Sequence, residues 1–288
     1  MSLDEYFLEE FPLDHTTLAN AQSEEVFLQC AFELTKETMA AVVFSFSVRT
    51  SASNRGLNRN QAILVGHLVR MMKLMRTLIR QISDGHGGDQ QLAITRQFID
   101  SAATVIYLLS DSGDESRFDS YVWDSLIAER EFLKDVKQQI ALRDSPAWPI
   151  EDRIESSIQA TYIAAGVSED DIPARKNNNW PSAKQRIDLL SPTAYSAYRT
   201  GSNAVHGAFA DLIKHHLIEK PDGFVPDLDP MGFKPQPLLA MSLMGLDAAA
   251  SYLVKYFPDA AREAREKLTS IHDRLGEVDL HHEYYLER

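Results

Sequence analysis

The chain reads as an all-α protein, a multi-helix bundle of about nine helices. Three observations predict this. Apolar residues recur at helical spacing, no alternating run is long enough to count as a strand, and Gly- and Pro-containing breaks divide the chain into pieces of helix length. With 44% hydrophobic and 25% charged residues in 288, the composition is that of a globular chain with room for a sizeable core. The expected organisation is a single helical domain, 1–288. Within it a helical pair at 21–83 and another at 237–276 pack around a core at about 89–219.

The elements follow in order. A first long helix is expected over about Ser23 to Val48, ending in the polar linker that runs from Arg49 to Leu57. Asn58 then caps a second helix to about Ser83, which Gly85 and the glycines after it terminate. A third runs from about Asp89 to Ser110 and a fourth from about Asp114 to Leu142, where Pro146 and Pro149 interrupt it. The fifth covers about Glu151 to Ala165, and an irregular stretch at 168–181 precedes a short helix near Ser182 to Leu190. Ser191-Pro192 is a start signal, a capping hydroxyl followed by a first-turn proline, for a seventh helix to about Glu219. A proline-rich loop, 220–237, leads to two last helices at about Pro237–Phe257 and Asp259–Gly276 before a polar tail.

Charge narrows the function classes. The net charge is −13, which disfavours broad, non-specific nucleic-acid binding. Yet no acidic residue lies between Glu37 and Asp84, while Arg49, Arg55, Arg59, Arg70, Lys73, Arg76 and Arg80 all do. On the second helix, Leu64, Leu68, Met71, Met72, Met75, Leu78, Ile79 and Ile82 make one apolar stripe. Arg70, Lys73, Arg76 and Arg80 fall roughly opposite, as a solvated face or as a candidate RNA-backbone surface. A single cysteine, Cys30, fits a reducing compartment, and the acidic N-terminus lacks the pattern of a signal peptide. The longest continuous apolar run, around Met39 to Phe46, is short of a membrane span. The expected location is the cytoplasm, with no membrane partner.

The constellation that carries chemistry lies on the seventh helix. Arg199, Asn203 and His206 share one face, with Tyr198 and Ser202 beside them. That line continues into Ala210, Ile213 and Leu217, so the face is expected to be covered by another helix, a cleft wall or a second subunit. An imidazole can exchange a proton near neutral pH, and a guanidinium can hold a phosphate and its developing charge. The set therefore suits phosphodiester cleavage without a metal or cofactor. His206 would be the acid–base group, Arg199 the phosphate holder and Asn203 the orienting amide. The structural alternative is a buried polar network, in which Arg199 or Arg96 pairs with Asp100 and fixes helix register.

Arg199, six intervening residues and His206, late in a helical chain, resemble the arginine–histidine signature of the HEPN superfamily. More closely, Tyr198, Ser202, His206 and Gly207 resemble an uncharacterised bacterial domain family with a Tyr-x-x-x-Ser-x-x-x-His helix. That family carries an upstream Arg-x-x-x-acid pair, matched by Arg96 and Asp100, and an Arg and a Tyr on the next helix, matched by Arg117 and Tyr121. The resemblance spans about Gln90 to Leu217. It implies a HEPN-like core, a homodimer whose two Arg/His sets meet in one cleft, and an endoribonuclease of antiviral defence or toxin systems, with RNA and an antitoxin or other protein as partners. Two other readings remain open: a non-catalytic interaction scaffold, and a nucleotide or small-molecule sensor.

Other motifs are weaker. Adjacent histidines at 215–216 and 281–282 diverge on a helix, and Asp211 with His215 lacks a third ligand, so no metal site is expected. The glycine-rich segment 84–89 lacks the lysine of a phosphate-binding loop, and Cys30 among apolar neighbours reads as a core thiol.

Overall fold

The computed structural model describes residues 6–48, 56–111, 113–143 and 145–288. The expected linker residues Arg49 and Arg55 lie outside the described residues. The helices are α1 (His15–Ala19), α2 (Glu24–Ser47), α3 (Arg59–Asp84), α4 (Gln91–Leu109), α5 (Ser116–Leu142), α6 (Pro149–Ala165), α7 (Ala183–Ile187), α8 (Ala194–His206), α9 (Phe209–His215), α10 (Pro235–Tyr256) and α11 (Pro258–Leu286). Nine of these have seven or more residues, as an all-α reading requires. Strands β1 (Leu217–Lys220) and β2 (Gly223–Pro226) form a small antiparallel hairpin.

The chain forms two compact units, 111–182 and the remainder. In the larger unit, α10 packs against α2, α3, α4 and α11, and α4 also carries α3, α7 and α8. Leu34, Ala41, Leu64, Leu68, Met71, Met75, Leu78, Phe98, Leu238 and Leu253 are fully buried there. The α3 stripe is narrower than its sequence: Met72, Ile79 and Ile82 are only half-buried. Gly245 lets α10 approach closely, because a Cβ there would stand 2.6 Å from the Met75 Cε and 3.3 Å from the Phe98 ring. A buried ion pair ties the N-terminal segment to this bundle. Arg274 donates to both oxygens of Glu37 at 2.8 Å and to the Phe11 carbonyl at 3.0 Å, while the Phe11 N–H donates to Glu37 at 2.8 Å. By length and composition alone, α10 and α4 with its preceding turn could cross a bilayer, but more than half of each is buried inside the fold. They are its core helices.

In the smaller unit, α5 and α6 enclose Leu126, Ile127, Leu133, Ile158, Tyr162 and Ile172. Arg130 ties down the irregular stretch after α6 by donating to the Ile172 and Pro173 carbonyls.

Local signals explain most helix ends. Asn58 caps α3 by accepting from the Gln61 N–H at 2.9 Å, and the Gln61 Oε1 accepts in turn from the Asn58 N–H at 3.3 Å. Gly85 ends α3 at φ 69°. Ser191 accepts from the Ala194 N–H at 3.1 Å, so the capping hydroxyl acts as expected although α8 begins at Ala194.

The seventh helix differs from expectation. It stops at His206, because Gly207 takes a left-handed conformation at φ 58° and the Ala208 N–H donates back to the Asn203 carbonyl at 3.0 Å. The chain restarts as α9 in a new direction, so Ala210, Ile213 and Leu217 do not prolong the line of Arg199, Asn203 and His206. The proline-rich exit is also more ordered than a loop. Lys220-Pro221-Asp222-Gly223 turns the β1–β2 hairpin, with Gly223 at φ 135° and Ile218 opposite Val225. The last helix runs on through the expected polar tail to Leu286.

The approach of α8 to α4 sets everything at the candidate site. A Cβ on Gly201 would stand 2.5 Å from the Leu92 carbonyl oxygen and 2.7 Å from the Arg96 Cβ. The obstruction on one side is backbone, which cannot swing away. We therefore expect Gly201→Ala to destabilise the protein by about 1–3 kcal/mol through overpacking, despite a helix propensity better by about 1 kcal/mol. Denaturant unfolding of both proteins measures this, and an unchanged or raised midpoint would contradict the close approach.

Candidate functional site

Helix α8 divides its polar residues between two faces. Gly201 and Ala194 are buried towards α4, and Tyr198 and Ser202 are half-buried beside them. Arg199, Asn203 and His206 are exposed. The two sets have different fates.

Arg96 of α4 takes up the inner set. Its Nε donates to the Ser202 hydroxyl at 2.9 Å and its Nη2 to the Tyr198 hydroxyl at 3.0 Å, with the guanidinium carbon 4.8 Å from the centre of the Tyr198 ring. Ser202 in turn donates to the Tyr198 carbonyl at 2.9 Å. Arg96 Nη1 lies 3.8 Å from Asp100, and Arg186 Nη2 of α7 lies 3.6 Å from the other oxygen of the same carboxylate. Asp100 thus pairs with Arg96 and Arg186, not with Arg199. Burial pushes the Asp100 carboxyl above its usual range, and Arg96, Arg186 and Arg70 oppose that shift. Around this cluster Ile99, Ala103, Ile187 and Ala194 form a small apolar core, flanked by Tyr195 and Tyr198.

The outer set is free. Among the described residues, no hydrogen bond or ion pair engages the side chains of Arg199, Asn203 or His206. Exposed apolar side chains adjoin them in sequence: Val205 at 44%, Phe209 at 70% and Leu212 at 38%. The hairpin adds Ile218, Phe224 and Val225, also exposed.

The basic face of α3 divides as well. Lys73, Arg76 and Arg80 are exposed and carry no partner among the described residues. Arg70 instead reaches across to α4, donating to Ser101 at 3.1 Å and more weakly to Gln97 at 3.5 Å. Arg117 lies 3.7 and 3.6 Å from Asp111 and Asp114, and Tyr121 meets Trp180 edge-on at 5.2 Å. Both belong to the smaller unit. Among the described residues, no group of three or more His, Cys, Asp or Glu side chains is placed to share a metal ion.

Two participants escaped the sequence reading. Arg186 sits on a five-residue helix too short to show a periodic face. His67 lies between Leu64 and Leu68, and burial, with Arg70 and Arg186 adding repulsion, pushes its imidazole down to about 4. Its position on the flank of an apolar stripe was the available signal.

The family comparison matches residues 61–224 with a family of unknown function, DUF5677. The matched span runs from the first turn of α3 to β2 and includes every residue of the Arg96–Asp100 cluster and of α8. The expectation of an uncharacterised, all-helical domain family is met at that level. No curated protein and no solved structure matches the chain.

The state of His67 has a consequence for stability. Unfolded, the imidazole takes a proton near pH 6.5; folded, it resists protonation down to about pH 4. Between those values the unfolded chain binds the extra proton. Stability is therefore fully present above pH 6.5 and falls as the pH drops, by up to about 1.4 kcal/mol per pH unit from this one group. We expect the wild type to lose more stability between pH 7 and pH 5 than His67→Gln does, as read from denaturant midpoints. Equal losses would show that His67 protonates as easily folded as unfolded.

Proposed function

Because the chain belongs to the DUF5677 family, a family of unknown function whose model spans more than half of it, we propose a function from the geometry of α8. The protein is an RNA-directed helical module, HEPN-like in its core, that cleaves RNA without a metal as a homodimer. One observation carries this reading: Arg199, Asn203 and His206 stand exposed and unengaged on one line of α8, while neighbouring Tyr198 and Ser202 are consumed by Arg96.

The chemistry follows from that line. His206 takes a proton from a ribose 2′-hydroxyl or returns one to the leaving oxygen, Arg199 holds the phosphate and its added charge, and Asn203 orients the imidazole or the substrate. Arg199 and His206 are separated along α8 by about 10 Å at 1.5 Å per residue. A second copy packed by two-fold symmetry would set the Arg199 end of one α8 against the His206 end of the other. The exposed Val205, Phe209 and Leu212 supply apolar area for such a contact. Lys73, Arg76 and Arg80 offer a cationic surface for the RNA backbone. A role in bacterial defence or toxin systems belongs to the same proposal and rests on the resemblance alone.

The second reading is a non-catalytic interaction module. It is favoured by the Arg96–Tyr198–Ser202 network, which fixes α8 on α4 whether or not any reaction occurs. One experiment separates the two. Wild type and His206→Ala are compared for cleavage of mixed RNA in EDTA, with thermal unfolding and light scattering of both. The nuclease reading predicts a dimer and a loss of about 10²–10⁴-fold in rate, with little change in stability because His206 is exposed. Retained cleavage in the mutant, or no cleavage by a dimeric wild type, would leave the interaction module.

A further inference from the structure

The first two helices and the segment before them border a space that the α8 site does not use. A cavity of about 830 Å³, open to solvent, is lined by the N-terminal segment, α1, the first half of α2 and the last turn of α3. Sites for small organic molecules commonly measure roughly 300–1,000 Å³ and are mostly apolar, with a few polar groups that orient the ligand. The walls here have that character. Phe11 and Leu18 come from the N-terminal segment and α1, Val26 and Phe32 from α2, and Ile82 from α3. Cys30 also lines the cavity; it is nine-tenths buried, and its thiol has no partner among the described residues.

The charged groups of the lining are all of one sign. Asp14 and Glu25 border the cavity, and no lysine, arginine or histidine does. The Thr17 hydroxyl donates to one Asp14 oxygen at 2.7 Å, and the Thr16 and Thr17 N–H groups donate to the other. Chiefly the Thr17 bonds hold this carboxyl below its usual range, so it is ionised at pH 7. The Glu25 side chain has no hydrogen bond or ion pair among the described residues. Cations close by in the sequence are engaged elsewhere, His15 with Glu277 and Lys36 with Glu33, while Lys234 takes Glu24 and not Glu25. An apolar molecule with an anionic head would meet two carboxylates here. One with an ammonium head would meet two partners, and charge complementarity therefore sets the sign of the ligand.

We propose that this cavity binds an amphiphilic amine, an organic cation whose hydrocarbon body lies among Phe11, Val26, Phe32 and Ile82 and whose ammonium meets Asp14 and Glu25. The apolar walls supply most of the affinity, in proportion to the area removed from water. The carboxylates select the head group by penalising the opposite charge. The site shares no residue with α8, so it stands whether or not RNA is cleaved there.

The test is calorimetric titration of the full chain at pH 7 and constant ionic strength with three probes of equal chain length, decylamine, decan-1-ol and decanoate, each below its micelle threshold. The wild type should bind decylamine saturably, decanol more weakly and decanoate most weakly. Asp14→Asn combined with Glu25→Gln removes both charges, and asparagine caps a helix as well as aspartate does. This double variant should weaken decylamine binding about tenfold, the effect of losing two exposed ion pairs, and leave decanol unchanged. Leu28 is half-buried in the cavity wall, so Leu28→Trp fills part of the space and should weaken decylamine binding as well. Glu266→Gln, exposed on α11, should bind as the wild type does and so controls for net charge. The proposal is overturned if the folded wild type does not bind decylamine saturably or binds decanoate equally well. It is also overturned if affinity for decylamine is unchanged in the double variant or in Leu28→Trp, or if Glu266→Gln weakens it as much as the double variant does.

Discussion

The contact of α8 with α4 at Gly201 is the constraint on which the rest of the candidate site depends. The Leu92 carbonyl and the Arg96 Cβ leave no room for a side chain at that position. Once the two helices are that close, the inner rows of α8 are decided. Tyr198 and Ser202 fall within reach of the Arg96 guanidinium, which is half-buried and needs acceptors. Arg199, Asn203 and His206 are turned outward by the same geometry. A motif that looks continuous along the chain is thus two structures, a clamp on one side and an unengaged polar line on the other. Catalysis would draw on the second and depend on the first for position.

The same helix shows what the sequence could and could not convey. Periodicity assigned Arg199, Asn203 and His206 to one face because it depends only on the pitch of a helix, and the pitch is nearly invariant. It could not show that the helix ends at Gly207. A glycine inside an apparently continuous pattern is tolerated in some helices and caps others, and only the left-handed φ of 58° distinguishes the two. The expected continuation into Ala210, Ile213 and Leu217 failed for that reason. The hairpin was hidden differently. Pro221, Asp222 and Gly223 are strong turn residues, but strands of four residues are too short to show alternation. By contrast, Asn58, Gln61 and Gly85 mark the ends of α3 by local chemistry, and there the sequence and the structure agree closely.

Tertiary packing also redistributed the charges. Arg70 shares a helix with Lys73, Arg76 and Arg80, but it alone bends to Ser101 and Gln97 and joins the field around Asp100. Arg186 arrives there from a distant part of the sequence. A chain with a net charge of −13 therefore gathers three guanidiniums in one seam of a helical bundle. Net charge averages over the whole surface and says little about one seam. His67 belongs to the same place: its neutral state follows from burial first and from the nearby guanidiniums second.

The division of α8 into a structural and a free face is tested most directly by a double-mutant cycle of unfolding free energies. Arg96→Met and Tyr198→Phe, alone and together, define the coupling across the inner face, and Arg199→Ala with His206→Ala defines it along the outer line. The structure predicts an interaction energy of about 0.5–3 kcal/mol for the first pair. For the second it predicts single-variant changes within about 0.5 kcal/mol and no coupling, as for exposed side chains without partners. Additive inner variants, together with an outer line whose loss destabilises the fold by more than about 1 kcal/mol, would contradict it.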